Sequence, residues 1–240
     1  MLRNFARTAA GLAAVLLVLK AAPASAQVVQ GFQIGVGGFL PQGFDGRPPN
    51  DVLVTDLSAP SSQALLFDLS HFNGGTIFGE WNVDVGKHLE FGAGVGFYKR
   101  TTPSIYAALQ NTNGADIGQD LRLRTIPISA VVRFMPIGKP GHVQPYVGAG
   151  IAAVVWRYSE FGQFVDDSQN IFQAAFVGSG VAPAGLLLGG VRAPMNGDVF
   201  ALMAEIRYQW ATGNLNPTDF LSNKIDLNGA TVSVAFQVRY

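Results

Sequence analysis

The chain has 240 residues, 48% of them apolar and only 13% charged, with 16 cations against 16 anions and no cysteine. Balanced charge excludes the basic footprint of a nucleic-acid-binding protein. The lack of cysteine excludes thiolate zinc sites, iron–sulfur clusters and disulfide frameworks, and low charge with positive mean hydropathy excludes a disordered chain.

Arg3 and Arg7 form a basic start, residues 9–19 an apolar run, and Ala24-Ser25-Ala26 after Pro23 a small-x-small cleavage site. This is the pattern of a signal peptide over residues 1–26, since an apolar run of about 11 residues is too short for a ~30 Å hydrocarbon core. Cleavage removes three cations (Arg3, Arg7 and Lys20) and no acid, so residues 27–240 carry 13 cations and 16 anions, a net charge of −3. They are expected to form one domain.

From there the apolar pattern has period two, which is the signature of strands with one apolar and one polar face. The first predicted strand covers residues 32–40, with Phe32, Ile34, Val36 and Leu40 on one face. In the second, residues 77–85, Ile77, Trp81, Val83 and Val85 oppose Glu80, Asn82 and Asp84. The third, residues 89–98, sets Leu89, Phe91, Ala93, Val95 and Phe97 against Glu90 and Gly92, Gly94 and Gly96. The fourth, residues 121–134, contains Pro127, which cannot donate a ladder hydrogen bond and implies a bulge nearby. The fifth, residues 145–158, is apolar on both faces, and the sixth, residues 182–192, is glycine-rich. The seventh alternates from Phe200 to Trp210, and the eighth runs through Val232, Val234, Phe236 and Val238 to Tyr240.

The connections alternate in length. Residues 41–75, 101–120, 159–181 and 213–225 are long, whereas residues 86–88, 136–143 and 193–197 are short and supply Gly, Pro or Asn for tight turns. Alternation alone is shared by soluble and membrane barrels. Long connections at one end and tight turns at the other fit an up-and-down barrel in an outer membrane, with both termini on the periplasmic side. Aromatic residues fall in two tiers, which suits two membrane interfaces. Trp210, Tyr208, Tyr158, Trp156 and Phe97 lie near the long loops, and Phe32, Phe91, Phe134, Tyr146, Phe200 and Tyr240 near the short turns. The expected fold is all-β: a transmembrane up-and-down antiparallel β-barrel of eight strands.

Through the segments Gln144-Pro145-Tyr146-Val147-Gly148-Ala149-Gly150 and Glu205-Ile206-Arg207-Tyr208, and the closing strand from Val232 to Tyr240, the chain resembles the small eight-stranded outer-membrane barrels of the OmpA/OmpW type. The resemblance implies that Phe236, Val238 and Tyr240 form a C-terminal signal for the outer-membrane barrel assembly machinery. It further implies outer-membrane lipids and lipopolysaccharide as surroundings, in a Gram-negative-type bacterium, and no cofactor.

With the apolar faces given to lipid, Glu80, Asp84, Glu90, Arg133, Glu205, Arg207 and Arg239 point into the lumen. Asp84, Glu90, Arg133 and Arg239 belong near the periplasmic end, and Glu80, Glu205 and Arg207 nearer mid-height. An eight-stranded barrel is just wide enough to be filled by side chains, so a plug of ion pairs is expected, with a Glu205/Arg207 gate over a narrow channel as the sharper alternative.

The expected function is a structural or small-pore, porin-like role without catalysis. Two alternatives stand beside it, a lipid A-modifying hydrolase and a soluble periplasmic barrel binding an apolar ligand. Lipid A deacylases carry an Arg-Tyr-x-His-x-Ser-Asn run. The comparable run here is Arg207-Tyr208-Gln209-Trp210-Ala211-Thr212-Gly213, with Trp210 in place of the base and Thr212 in place of the next polar group. His71, with Ser70 or Ser104 in reach, is the histidine placed at the loop end; His88 and His142 fall in the turns. Acids gather in the loops (Asp45, Asp51, Asp56, Asp68, Asp116, Asp120, Glu160, Asp166 and Asp167), which reads as solubility or as divalent-cation bridging to lipopolysaccharide phosphates. No calcium-loop spacing occurs, and no metal site is expected. Residues 51–72 are apolar enough to fold as a lid or short helix over the barrel mouth.

Overall fold

A computed structural model describes residues 29–60, 63–138, 143–166 and 168–240. Residues 1–26, expected to be a signal peptide, and His142 and Asp167 lie outside the described residues. The elements are β1 (Gln30–Pro41), α1 (Val52–Ser58), β2 (Leu65–Leu66), β3 (Gly74–Val85), β4 (Leu89–Gln110), β5 (Asp116–Phe134), β6 (Gln144–Val165), β7 (Ile171–Met195), β8 (Phe200–Asn214), β9 (Lys224–Asp226) and β10 (Gly229–Arg239).

Eight of these strands close a ring in the order β1-β3-β4-β5-β6-β7-β8-β10, every neighbour antiparallel. The ring is sealed where β10 pairs with β8 on one side (Val234↔Ala204) and with β1 on the other (Val36↔Val234). Closure leaves no free edge, the condition for strands to survive in hydrocarbon, where no water is available to pair backbone groups. Outward positions carry Ile34, Val36, Ile77, Val95, Ile128, Ile151, Leu187, Ile206 and Val234, all exposed. Trp81, Phe91, Phe97, Phe134, Trp210 and Tyr240 join them toward the two rims. An apolar exterior around a polar-centred interior is the inverse of a soluble barrel, which hides its apolar face inside. Tight turns close one end, as at Asn196-Gly197-Asp198, where all three residues take positive φ.

The strands are longer than the alternation indicated. Residues 101–120 and 159–181 are mostly hairpin, with β4 running to Gln110 before β5 starts at Asp116 and β6 running to Val165 before β7 starts at Ile171. Beyond the membrane the outward face meets water and turns polar on β4, β5 and β6, though Ile171 and Val177 stay exposed on β7, while polar Thr102, Ser104 and Gln119 enter the interior; the two-sided contrast fades there although pairing continues. Residues 182–192 fall largely in the second half of β7, the 25-residue strand. The first long connection folds back, and β2 pairs with β4 through Leu65↔Tyr106, covering β4 where it outruns β3.

No bulge forms at Pro127. The β4–β5 register is the same at Val95↔Ile128 and Tyr98↔Thr125, and the irregularity falls instead between Ile105 and Gln110. Gly96 faces the proline ring, and a Cβ there would lie 3.2 Å from Pro127 Cγ, so the missing side chain absorbs the proline without a register change. The aromatic tiers need a correction too. Tyr146, Trp156 and Tyr158 are buried inside the barrel, not displayed to the interfaces. In a strand apolar on both faces composition does not orient the side chains; register does.

The interior has two storeys. The half nearer the tight turns is a charged network. Above it lies an apolar core that includes Tyr98, Leu121, Leu123, Val154, Trp156 and Tyr158, and α1 brings Val52 and Leu53 onto it from above. The lumen is therefore not polar throughout, as the charged positions alone had suggested.

Candidate functional site: the lumenal charge network

All seven acids and bases assigned to the lumen project inward, and most ion pairs among the described residues join groups that are almost fully buried. The centre is Arg133 on β5. Its guanidinium reaches Glu80 of β3 at 2.5 Å, Glu90 of β4 at 3.3 Å and Glu205 of β8 at 3.0 Å. One side chain thus ties together strands from opposite walls. Arg207 bridges Glu205 at 2.8 Å and Glu80 at 3.1 Å, closing a four-membered ring of alternating charge. Arg239 binds Asp84 and Asp198 near the tight turns, and Asp84 stands directly across from Glu90 in the β3–β4 pair, so this cluster adjoins the network.

Arg192 was missed in the sequence. It is fully buried, donates to Glu90 at 2.7 Å and reaches Gln144 through Nε at 2.8 Å. Its position on β7 has the parity of Leu186 and Leu188, both buried; that parity was the available signal, and it needed the strand to be oriented first. With Arg192 counted, Glu80, Glu90 and Glu205 balance Arg133, Arg192 and Arg207 one to one. Neutral polar groups complete the shell. Gln33 donates to Glu80 at 3.0 Å, Tyr146 donates to Glu205 at 3.0 Å, and Asn82 accepts from Arg133 at 3.2 Å. Each of the three glutamates thus meets at least one arginine, the pairing that buried charges require, while Gln33 Oε1 and Asn82 Nδ2 are buried without a hydrogen-bond partner among the described residues.

Glycines make the room. A Cβ on Gly92 would sit 2.6 Å from Glu80 Oε1, and one on Gly190 would sit 2.6 Å from the Tyr146 hydroxyl. Above the network, Arg207, Glu80 and Glu205 share the wall of a cavity of about 60 Å³ with Thr76, Gln209 and Ser233. That is room for a few water molecules.

At the outer mouth α1 is pinned by charge. Arg47 pairs with Asp51 at 2.7 Å, and Asp51 accepts from the backbone N–H of Asp226 on β9 at 2.7 Å. Asp51, Asp56 and Glu160 are buried here, which corrects their reading as solvated loop acids; Asp51 is taken up by Arg47 and the Asp226 N–H, while Asp56 Oδ2 and Glu160 Oε1 find no hydrogen-bond partner among the described residues. Burial, followed by the charges of Glu160 and Asp51, pushes the Asp56 carboxyl well above the usual carboxylate range.

The remaining candidates are not brought together. Trp210 faces outward. Ser104 is turned inward and donates to the Gln119 carbonyl at 2.9 Å, while His71 is exposed on the loop. His88 sits in the turn after β3 and contacts the Met135 carbonyl at 2.9 Å. Phe236 and Val238 lie on the outer face of β10 and Tyr240 follows it, exposed, with Phe236 stacked on Phe200 at 5.6 Å between centroids.

No family model matches the chain, and no curated protein sequence matches it. Solved structures similar to it include Neisserial surface protein A, at 14% identity and a TM-score of 0.47 over 90% of this chain and all of that one. Outer membrane protein OprG from Pseudomonas aeruginosa is similar at 12% identity and a TM-score of 0.47, over 88% of this chain and 95% of that one. Outer membrane protein AlkL, solved in lipid bilayers, is similar at 18% identity and a TM-score of 0.40, over 91% and 95%. The chain's own closed ring and apolar belt define it as an eight-stranded membrane-spanning β-barrel.

Proposed function

We propose that the protein is an integral outer-membrane barrel with a structural, non-catalytic role, its lumen held shut by the Arg133-centred network. The observation that carries this reading is the neutral set of three arginines and three glutamates spanning the interior, roofed by an apolar core and α1. A charge buried with its partners at this density leaves an ion nothing to solvate it on passage. Long loops and tight turns at opposite ends support an outward-facing lid and periplasmic termini. Phe236, Val238 and Tyr240 are the residues we assign to recognition by the barrel assembly machinery.

A second reading, a small pore gated at Glu205 and Arg207, is favoured by one observation. Arg207 is 18% exposed where its network partners Arg133 and Glu80 are at 0% and 1%, and it borders the cavity. Planar-bilayer recordings separate the two. The structural reading expects silent traces from wild type and from Arg207→Ala alike. Discrete openings in Arg207→Ala alone would establish the gate, and openings in wild type would overturn the closed lumen.

A further inference from the structure

We propose that Lys99, Arg124 and Arg157, with Arg122 above them, form a binding site on the barrel's outer wall for the phosphate groups of lipopolysaccharide in the outer leaflet. The inference rests on the outer-membrane reading given above and adds a site to it. Three outward positions stand in one row across β4, β5 and β6, with Lys99 opposite Arg124 and Arg124 opposite Arg157. Ten residues toward the periplasm on the same strands, the row Leu89, Phe134 and Val147 marks the lower edge of the apolar belt, again in register. Ten residues at about 3.3 Å each, on strands tilted by roughly 40°, rise about 25 Å, the height of the apolar band in such barrels. The cations therefore stand at the outer headgroup boundary, one step above Phe97.

Like charges directly opposite one another across strands are destabilising, and here three stand side by side. Among the described residues none of Lys99, Arg122, Arg124 and Arg157 has a carboxylate within ion-pairing distance, although Asp120 follows on the outer face of β5. The four surround a cleft of about 300 Å³ whose remaining lining is Phe97 and Ser159. Arg122 is held in place by its Nε bond to Thr101 Oγ1 at 3.1 Å and by the Phe161 ring, 4.6 Å from its guanidinium carbon. Guanidinium forks over an aromatic floor fit a phosphorylated sugar head whose acyl chains run down the apolar belt: the forks take the phosphate oxygens in pairs, and Phe97 meets the first methylenes.

The test uses the folded full chain in zwitterionic detergent with EDTA present, titrated with deep-rough lipopolysaccharide. Wild type is expected to bind saturably, and the variant Lys99→Gln/Arg124→Gln/Arg157→Gln to lose about tenfold in affinity per charge removed. Lipopolysaccharide stripped of phosphate is expected to bind wild type as weakly as the intact glycolipid binds the variant. Should the triple variant fail to fold, shown by loss of the heat-modifiable band of the closed barrel, Arg157→Gln alone decides, with about a tenfold loss expected. Equal affinity of wild type and variant overturns the site. So does loss of all binding in EDTA, which would assign the glycolipid to cation-bridged loop acids, and so does full competition by inorganic phosphate. Insertion of the wild-type chain into phosphatidylcholine vesicles without any preference for lipopolysaccharide sinks this inference alone. Failure to enter vesicles at all sinks the membrane reading with it.

Discussion

Replacing Arg133 by methionine probes the network at its centre. The guanidinium lies within 3.3 Å of Glu80, Glu90 and Glu205, so its loss touches three carboxylates. They are not all abandoned. Glu80 and Glu205 keep Arg207 at 3.1 Å and 2.8 Å, and Glu90 keeps Arg192 at 2.7 Å. The balanced set is left with one uncompensated buried negative charge, and the cost of one such orphan is about 3–5 kcal/mol. Methionine fills much of the vacated volume, which keeps a cavity from inflating the figure. The double variant Arg133→Met/Glu205→Gln restores neutrality and should recover on the order of 2 kcal/mol of that loss. Urea unfolding from lipid vesicles at neutral pH, followed by tryptophan fluorescence, measures both. A single variant within about 0.5 kcal/mol of wild type, the level of an ordinary surface change, would refute the reasoning. A double variant no better than the single would refute the charge-balance part of it.

Gly92→Ala should destabilise the barrel by about 1–3 kcal/mol, because the new methyl meets Glu80 Oε1 at 2.6 Å and Asn82 Oδ1 at 2.9 Å. Gly75→Ala, which meets nothing within 4 Å, should be neutral in the same urea experiment, and equal effects of the two would count against steric control of the network. At the lid, the raised folded-state value of Asp56 means that folding binds its proton more tightly than the unfolded chain does. Its contribution to stability is therefore present below the ordinary carboxylate range and is lost as pH rises through the raised value. Hydrogen exchange of residues 52–58, corrected for intrinsic rate, should show less protection at high pH than at low pH in wild type, and a shallower loss in Asp56→Asn, where buried Glu160, itself raised to about 7, still titrates. The same pH profile in both would remove Asp56 as its cause.

Much of the barrel was legible because a lipid-facing strand carries two coupled signals, an apolar outer residue and a small or polar inner one. Ile77 to Val85 and Phe200 to Trp210 show both and lie within β3 and β8. The inward placement of Glu80, Glu205 and Arg207 follows from that parity alone. The extended hairpins were not legible, since above the membrane the outer face turns to Lys99, Arg124 and Arg157 and the lipid signal stops. Which way Tyr146 and Trp156 point was hidden as well, because β6 is apolar on both faces and its register against β5 and β7 decides. Arg192 follows the same logic: its partners Glu90 and Gln144 sit on other strands, and no local spacing links them. The burial of Asp51 and Asp56 depends on a loop folding onto the barrel mouth, a long-range contact that composition does not encode.

The central claim is that β8 and its neighbours stand with one face in lipid and the other in a closed, filled lumen. The chain has no cysteine, so single cysteines carrying a nitroxide can be placed at successive positions from Leu202 to Ile206. Power-saturation measurements in reconstituted vesicles then compare collision with lipid-dissolved oxygen and with a water-soluble nickel chelate. Oxygen access should peak at Leu202, Ala204 and Ile206 and fall at Met203 and Glu205, with the nickel chelate excluded from all five. Nickel access at Leu202 and Ile206 would contradict the membrane-facing belt, and nickel access confined to Met203 and Glu205 would contradict the filled lumen.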